Sequence, residues 1–434
     1  MNDRPPLATF APDSEIERGY RGKTPGSAET ISRARAVLPG GSTRAFGYFR
    51  PYPLTFAGGE GPYLRDVDGN RYVDFTYNGL SLIHGHAFGP IEEAVLEALP
   101  HGTAWPGTSL PQIQFAEALC ARIPTADRVR FTNTGTEAGM LAVKLARHVT
   151  GRPLVLKSWG AYHGSYDDLE AGLYGNGELR GRAVLGRFGD LDSYREVFAR
   201  HRGEIAALMI EPILFTFEVV PPPPGFLPAL VELAREEGAI VILDDCLMFR
   251  LAEAGSAEKY GISPDLTCLG KFIGGGLPVG VVAGSAALLA AVDPDNPNGM
   301  YHGGSFNGNP LGATAGRVTL EHLGNAEIAG MDDRAARLWA ALEAKAKAVG
   351  VPLKVSGDGS ILGSYVLGED GSPDRELGAH LHLAAINHGV YFGADGEIAM
   401  ATTLDDEALE LAIAGFEAAL DDLAEEIARR GEGV

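Results

Sequence analysis

The chain has 434 residues, of which 45% are hydrophobic and 21% are charged, a composition typical of a large globular protein rather than a disordered one. It carries 36 Lys and Arg residues against 57 Asp and Glu residues, and the net charge of −21 argues against nucleic acid or an anionic membrane as a partner. The three cysteines lie in apolar runs without paired spacing, so they predict reduced thiols in a cytoplasmic protein, and the sequence shows no metal-binding cluster.

The N-terminal part of the chain predicts an arm or a helix followed by a β-hairpin. Residues 1–26 are polar and have no apolar core, so they predict neither a signal peptide nor a membrane span. Residues 63–75 alternate apolar and polar side chains on both sides of Asp68-Gly69, which is typical of a hairpin. The acidic residues of this segment lack the ligand spacing of an EF-hand, so they do not predict a calcium site.

A candidate phosphate site follows the next apolar segment. After residues 129–131, a small polar turn leads into residues with apolar positions at helical spacing. Backbone amides at a helix N-terminus bind anions, so Gly135 and Thr136 are candidate phosphate ligands. The alternative is an ordinary helix N-cap formed by Thr134 or Thr136. After another apolar strand, Tyr162 is placed to stack on a flat ring, with core packing as the alternative.

Two later strands end in residues that suit one cofactor. Residues 240–243 predict a strand buried on both faces of a parallel sheet, which places Asp244 at its carboxyl end, where ligands bind in open α/β sheets. The next apolar run ends at Lys271, which is followed by three glycines, so Lys271 is either a Schiff-base lysine or a surface lysine beside a flexible turn. An Asp facing a pyridine nitrogen and a Lys holding an aldehyde form the core of a pyridoxal phosphate (PLP) site. His163 is then a candidate partner of Asp244 or a structural histidine.

The alternation of strand-like and helix-like runs predicts the domain organisation. Residues 76–323 predict an α/β domain that binds the cofactor on a largely parallel sheet, and residues 324–434 predict a small α+β domain. Residues 1–75 predict an N-terminal arm and a further part of the small domain. Gly270-Lys271 is not a P-loop, because Phe272 stands where Ser or Thr is required. Strands are expected near Val129, Leu154, Ala206, Ile240, Leu266 and Val279.

Taken together and in this order, these segments resemble the class III aminotransferases of PLP fold type I. The similarity runs from about Pro39 to the C-terminal region and is greatest to the glutamate-1-semialdehyde aminomutases and the β-amino-acid (β-phenylalanine type) aminotransferases. The segments that carry it are residues 132–138, 162–164, 211–212, 244–246, 269–276 and 303–310.

The resemblance implies an enzyme that moves an amino group between a carboxylate-bearing amine and a keto acid by a ping-pong Schiff-base mechanism. It implies that Lys271 and Asp244 are catalytic, and that Ser305 reaches the phosphate of the neighbouring subunit in a homodimer with shared sites. A 2,1-aminomutase or an amino acid epimerase on the same fold is the alternative. A PLP-fold binding protein would be expected to lose Lys271 or Asp244, both of which are present. The expected PLP-binding residues are Gly135, Thr136, Tyr162, His163, Glu211, Asp244, Lys271 and Ser305.

The expected substrate residues depend on this resemblance. Residues 39–46 are similar to the stretch that carries an arginine for the substrate carboxylate, so Arg44 is a candidate clamp, with an exposed loop arginine as the alternative. Residues 77–79 read Tyr-Asn-Gly where the aminomutases usually have S-W-G, which puts mutase activity in doubt. Asp395 aligns with a second arginine of the β-phenylalanine aminotransferases. We therefore hypothesise a β-amino acid or a similar carboxylate whose far end is small, polar or cationic.

Overall fold

A computed structural model describes residues 14–173, 181–216 and 218–431. Within these residues the chain forms two compact units. The first unit comprises residues 80–82 and the described part of residues 89–328, and the second comprises residues 14–79, 83–88 and 329–431. Among the described residues, no helix has both the length and the apolar character required to cross a membrane.

The strands and helices follow in chain order. The strands are β1 (Phe56–Glu60), β2 (Tyr63–Asp66), β3 (Arg71–Asp74), β4 (Arg128–Thr132), β5 (Leu154–Ser158), β6 (Ala183–Gly186), β7 (Ile205–Ile210), β8 (Ile240–Asp244), β9 (Leu266–Leu269), β10 (Gly280–Gly284), β11 (Leu353–Asp358), β12 (Ile361–Val366), β13 (Val390–Tyr391) and β14 (Glu397–Ala399). The helices are α1 (Glu15–Lys23), α2 (Pro25–Ala34), α3 (Tyr77–Leu80), α4 (Gly89–Ala98), α5 (Leu110–Arg122), α6 (Gly135–Thr150), α7 (Asp167–Glu170), α8 (Leu191–Arg200), α9 (Phe226–Glu236), α10 (Ser256–Tyr260), α11 (Ala286–Leu289), α12 (Pro310–Glu321), α13 (Asn325–Val349), α14 (Arg375–Asn387) and α15 (Asp406–Gly431).

The first unit is built on a seven-stranded sheet in the order β4-β10-β9-β8-β7-β5-β6. From β9 to β6 all pairs are parallel, whereas β10 is antiparallel to both of its neighbours. The six expected strands are confirmed, and so is the largely parallel sheet. The sequence did not predict β6, because it has only four residues and none of its first three is fully buried.

Both faces of this sheet are covered by helices, which explains the continuous apolar runs of its central strands. Alternate strand residues point to opposite faces. On one face Val155, Met209 and Ile242 pack with α6, and on the other the strands pack against α8 and α9. The same alternation continues to the strand ends. Two residues after Val155, Met209 and Ile242, it places three charged residues on the face that packs against α6. They are Lys157, Glu211 and Asp244.

The second unit has two smaller sheets, ordered β1-β2-β3-β13 and β11-β12-β14. The predicted hairpin is confirmed, since β2 and β3 pair antiparallel around the Asp68-Gly69 turn. Asp66 Oδ1 accepts hydrogen bonds from the amides of Asp68 and Asn70, so this acid stabilises the turn. Val390 in β13 pairs in parallel with Val73 in β3, so strands from both ends of the chain share one sheet.

Candidate active site

Lys271 lies at a strained turn at the end of β9. Gly270 follows the strand, and Lys271 opens a 3₁₀ turn, Lys271–Gly274, with a φ of 53°. A residue with a β-carbon rarely adopts this left-handed conformation, and such residues concentrate at functional sites. The lysine is half-buried, so its side chain remains accessible to a ligand.

Asp244 lies on the adjacent parallel strand and is held by two donors. Its Oδ2 is 2.8 Å from His163 Nδ1, and its Oδ1 accepts a hydrogen bond of 3.2 Å from the Cys246 amide. Burial alone would raise the pKa of Asp244, but the His163 hydrogen bond and the Lys271 charge hold this pKa below its usual value. Asp244 is therefore a carboxylate at neutral pH. Of the two interpretations of His163 that the sequence left open, the geometry selects the partner of Asp244.

His163 is the neutral member of this pair. Its pKa is lowered, chiefly because complete burial penalises the imidazolium. A neutral imidazole that donates from Nδ1 to a carboxylate keeps Nε2 as an acceptor. His163 Nε2 is buried and has no hydrogen-bond partner among the described residues.

Glu211 is a second buried acid of the site, just beyond β7. It is 5% exposed and accepts a hydrogen bond from the Tyr162 amide. Burial, reinforced by the charge of Asp244, raises the pKa of Glu211 to about 8. The carboxyl group is therefore mostly neutral at pH 7, and its Oε2 has no partner in the part of the chain that the structure describes.

The N-terminus of α6 provides an anion site next to these groups. Thr134 is the N-cap, because its Oγ1 accepts a hydrogen bond of 3.1 Å from the Glu137 amide. The amides of Gly135 and Thr136 make no hydrogen bond to any described residue, and they carry the positive end of the helix dipole. The N-cap and the anion site thus coexist at one helix end.

Gly135 and Gly270 allow three segments to meet at this point. A β-carbon on Gly135 would lie 2.8 Å from Cys246 Sγ, and one on Gly270 would lie 3.1 Å from the Gly135 nitrogen. A side chain at either position would push the helix end away from the strand ends. The close approach of α6 to the Lys271 turn therefore requires both glycines.

Tyr162 belongs to a segment that packs against the same helix end. Tyr162 is 39% exposed, and its Oη is 3.1 Å from Ser165 Oγ. The Ser165 amide donates a hydrogen bond of 3.2 Å to Thr136 Oγ1. The aromatic residue and the candidate phosphate site are thereby tied together.

Ser305 lies on an exposed segment. Its neighbours Tyr301 and Phe306 are 88% and 63% exposed. Asn133 Nδ2 donates a hydrogen bond of 3.0 Å to Asn307 Oδ1, which fixes the segment beside the turn before α6. Among the described residues, Ser305 makes no hydrogen bond to the other candidate ligands.

The candidate substrate residues both belong to the second unit. Arg44 is exposed, and its Nη1 donates a hydrogen bond of 2.8 Å to Asn78 Oδ1. Asn78 lies in α3, a single left-handed turn in which Tyr77, Asn78 and Leu80 have φ values of 41°, 55° and 64°. Asp395 is exposed on the loop before β14.

A buried acid that the sequence did not single out lies behind Asp395. Glu397 is 6% exposed, and its Oε2 has no partner among the described residues. Burial, together with the charge of Asp395, raises the pKa of Glu397 well above its usual range. Sequence reasoning missed Lys157 and Glu397, and it noted Asn78 only as a departure from the S-W-G of the aminomutases, without its hydrogen bond to Arg44.

The residues of the first unit fit PLP. A buried carboxylate suits a pyridinium nitrogen, two free amides at a helix N-terminus suit a phosphate, and a half-buried lysine suits an aldehyde. The unpartnered buried atoms His163 Nε2 and Glu211 Oε2 are also typical of a site that binds a polar ligand. Among the described residues, no group of three or more His, Cys, Asp or Glu is placed to hold a metal ion.

Comparisons with known proteins agree with this geometry. The family model for class III aminotransferases matches residues 49–169 and 190–420. A glutamate-1-semialdehyde 2,1-aminomutase from Thermomicrobium roseum is 40% identical over 348 residues, which are 76% of this chain and 80% of the relative.

Two solved structures have the same fold over nearly their whole length. An omega-transaminase from Sphaerobacter thermophilus has a TM-score of 0.87 and 34% identity, over 95% of this chain and 98% of that one. A β-phenylalanine aminotransferase from Variovorax paradoxus has a TM-score of 0.86 and 30% identity, over 96% and 98%.

The fold and the site define a PLP-dependent enzyme of fold type I. The chain belongs to the class III aminotransferase family. The predicted fold class, cofactor and enzyme class are therefore confirmed. The roles of individual residues remain predictions.

We predict that Glu211 makes the protein less stable as the pH rises. The stabilising contribution of its neutral carboxyl is fully present below the unfolded-state pKa of 4.5 and is lost as the pH rises through the folded-state pKa of about 8. Glu211→Gln keeps a neutral group at every pH. Relative to wild type, the variant should gain stability on the order of 3 kcal/mol between pH 5 and pH 9.

Thermal unfolding of the cofactor-free protein across this pH range measures the effect. Glu236→Gln is the matched control, because Glu236 is exposed on α9 of the same unit. If the melting temperatures of wild type and Glu211→Gln run parallel across the range, Glu211 is not neutral in the folded protein.

Proposed function

We propose that the protein is an aminotransferase that moves an amino group between a β-amino acid and a keto acid in two half-reactions. Two observations, one in each unit, support this proposal: Lys271 and Asp244 follow adjacent parallel strands of the first unit, and in the second unit an exposed arginine, Arg44, donates a hydrogen bond to Asn78. The first supports transfer chemistry, and the second supports a donor with a carboxylate.

Three residues of the first unit have distinct tasks. PLP, when bound, supplies an aldehyde for the incoming amine and a ring that accepts an electron pair. The carboxylate of Asp244 would hold a proton on the ring nitrogen, and His163 orients that carboxylate through its Nδ1 hydrogen bond. The amine of Lys271 would move the proton at the substrate carbon that bears the amino group.

Arg44 is proposed to bind the substrate carboxylate. A guanidinium offers two parallel N–H donors that match both oxygens of a carboxylate. The hydrogen bond of 2.8 Å from Nη1 to Asn78 Oδ1 occupies one donor of the group, and among the described residues its other donors remain for a ligand.

Asp395 and Glu397 are proposed to favour a donor whose far end is small, polar or cationic. Asp395 is an exposed acid, and the buried Glu397 adds a second carboxyl group two residues away. An acidic surface disfavours a second carboxylate on the substrate. It also disfavours a large apolar group, because the exposed Asp395 would lose water without gaining a partner.

A glutamate-1-semialdehyde 2,1-aminomutase is the second candidate. The name of the Thermomicrobium roseum relative supports it. Asn78 argues against it, because the resemblance places a tryptophan at that position in the aminomutases. An amino acid epimerase on the same fold would share the cofactor site.

A half-reaction without acceptor tests the proposal. The PLP form is mixed with α-, β- and ω-amines, and conversion to the pyridoxamine form is followed by absorbance. We expect conversion by β-amino acids, with a keto product released in proportion. A product that is isomeric with glutamate-1-semialdehyde, with no net keto acid, would instead establish the mutase. Conversion by α-amino acids alone would contradict the β-amino-acid proposal.

We predict that Asp395→Arg changes the choice of donor. Replacing the acid with a cation should lower the ratio of kcat/KM for basic over acidic donors about tenfold, which corresponds to roughly 1.4 kcal/mol. Donors of equal chain length with acidic, neutral and basic far ends are compared. Asp333→Arg, on the exposed face of α13 in the same unit, is the control. An unchanged ratio would refute a substrate role for Asp395.

A homodimer is proposed as the working form. Large apolar side chains are exposed on two segments of the first unit, residues 99–113 and 301–306, and Asn309 Nδ2 donates to the Thr103 carbonyl between them. Burial of this surface against a second copy would remove it from water. The exposed side chains include Trp105, Leu110, Ile113, Tyr301 and Phe306.

Light scattering tests the dimer. We expect a mass of about twice 45.8 kDa for wild type and a shift to monomer for Tyr301→Ser combined with Phe306→Ser. Leu411→Ser, at an exposed leucine in the second unit, is the control. A monomeric wild type at micromolar concentration would contradict the proposal.

The three free cysteines support a cytoplasmic location, which cell fractionation checks.

A further inference from the structure

Lys157 is a buried lysine whose ammonium group is bound entirely by backbone. It is 0% exposed, and its Nζ donates to the carbonyl oxygens of Ala161, Leu169 and Ala171 at 2.6, 2.7 and 2.9 Å. An ammonium group has three N–H donors, so this set satisfies it completely. A charged group is costly to bury. Packing alone therefore does not explain a lysine inside this apolar strand, and we ask what its ammonium group holds in place.

The three carbonyls bracket the segment that carries Tyr162 and His163. Ala161 directly precedes Tyr162. Leu169 and Ala171 lie at the other end of the same segment, in and just after α7. The backbone bond across the segment, from the His163 amide to the Leu169 carbonyl, is long at 3.4 Å. Lys157 therefore supplies the short hydrogen bonds that close the loop.

The same segment packs tightly on the start of α6. A β-carbon on Gly164, which has a φ of 126°, would lie 2.6 Å from Thr136 Cα. The Ser165 amide donates to Thr136 Oγ1 at 3.2 Å. If the segment shifted, Asp244 would lose the hydrogen bond of His163. Thr136, in the candidate phosphate site, would lose the hydrogen bond of the Ser165 amide.

The charge of Lys157 also acts on the site. Burial lowers the pKa of Lys157 to about 8, while the charges of Glu211, Asp244 and Glu170 oppose that shift. Lys157 in turn lowers the pKa of His163. Lys157, Glu211 and Asp244 lie on the α6 face of the neighbouring strands β5, β7 and β8, so the cation is part of the same row as the acids.

We propose that Lys157 is a positioning residue of the cofactor site, which fixes the segment carrying Tyr162 and His163 and keeps a buried positive charge in the same row as Glu211 and Asp244. It touches neither the cofactor nor the substrate. It acts through the loop that it closes and through the field of its charge. The inference is independent of which amino donor the enzyme uses.

Three substitutions separate the hydrogen bonds from the charge. Lys157→Met removes both at similar length. Lys157→Gln keeps N–H donors but no charge, and Lys157→Arg keeps both. Lys347→Met, at an exposed lysine of α13 in the second unit, is the matched control.

The first readout uses the cofactor-free protein. Hydrogen exchange of the amides of residues 162–171 should be at least about tenfold faster in Lys157→Met than in wild type, because three carbonyls lose their donor. Lys157→Gln should be intermediate. Titration with PLP should show an affinity about tenfold weaker for Lys157→Met, and within about threefold of wild type for Lys157→Arg.

The second readout is the pH at which the absorbance of the bound cofactor changes. A buried positive charge opposes protonation of the bound cofactor, so removing the charge makes that protonation easier. The midpoint pH of the absorbance change should therefore rise by about one pH unit in Lys157→Met and in Lys157→Gln. The midpoint should be unchanged in Lys157→Arg and Lys347→Met. A purely structural lysine would not move it.

The proposal fails if Lys157→Met folds and binds PLP with wild-type affinity and an unchanged midpoint. It also fails if Lys157→Met melts at a lower temperature while the exchange of residues 162–171, the affinity and the midpoint stay as in wild type. Should Lys157→Met not fold, the comparison of Lys157→Gln with Lys157→Arg decides, since equal midpoints in these two would overturn the role of the charge.

Discussion

The parallel pairing of β8 with β9 is the constraint on which the candidate site depends. Asp244 pairs with Cys268 in this ladder, so the acid that ends one strand lies beside the strand that leads to Lys271. Side chains alternate between the two faces of a sheet, and a slip of one residue would turn Asp244 away from α6. The apolar residues before Asp244 fix the register, since Ile242 must pack with α6 and Val241 and Leu243 with the opposite layer.

Burial gives the row of charged residues beside this pair its properties. On the α6 face, Asp244 stays ionised because His163 donates to it, whereas Glu211 becomes mostly neutral because the neighbouring charge and burial both oppose ionisation. Lys157 keeps a cation in the row by satisfying all three of its donors with carbonyls. Two acids of similar chemistry thus differ in protonation state, because hydrogen bonds from His163 and Cys246 and the charge of Lys271 lower the pKa of Asp244, whereas burial and the charge of Asp244 raise the pKa of Glu211.

Much of the first unit could be predicted from the sequence, because its signals are local. Four apolar residues before Asp244 indicated a strand buried on both faces, and the glycines around Lys271 indicated a tight turn. Lys157 was not predicted, because a lysine inside an apolar strand gives no sign of which carbonyls will surround it. His163 was predicted with two interpretations, since the partner that decides between them is 81 residues away in the chain. Ser305 is exposed, and its expected role at the phosphate of a second subunit stays a prediction.

The second unit shows why the substrate is harder to predict than the cofactor. The ligands of PLP are set by a single molecule with fixed chemistry, so one strand end and one helix end suffice to suggest them. Arg44 is oriented by Asn78, whose left-handed conformation no local pattern indicated, because Asn is only moderately favoured at positive φ and Tyr77 and Leu80 are not. The raised pKa of Glu397 depends on its burial and on the nearby charge of Asp395. Burial is a tertiary property that no local sequence pattern indicates. If Arg44 and Asp395 bind the substrate as proposed, substrate choice can change through a few residues of α3 and the loop before β14, while the β8–β9 pairing and the start of α6 stay the same.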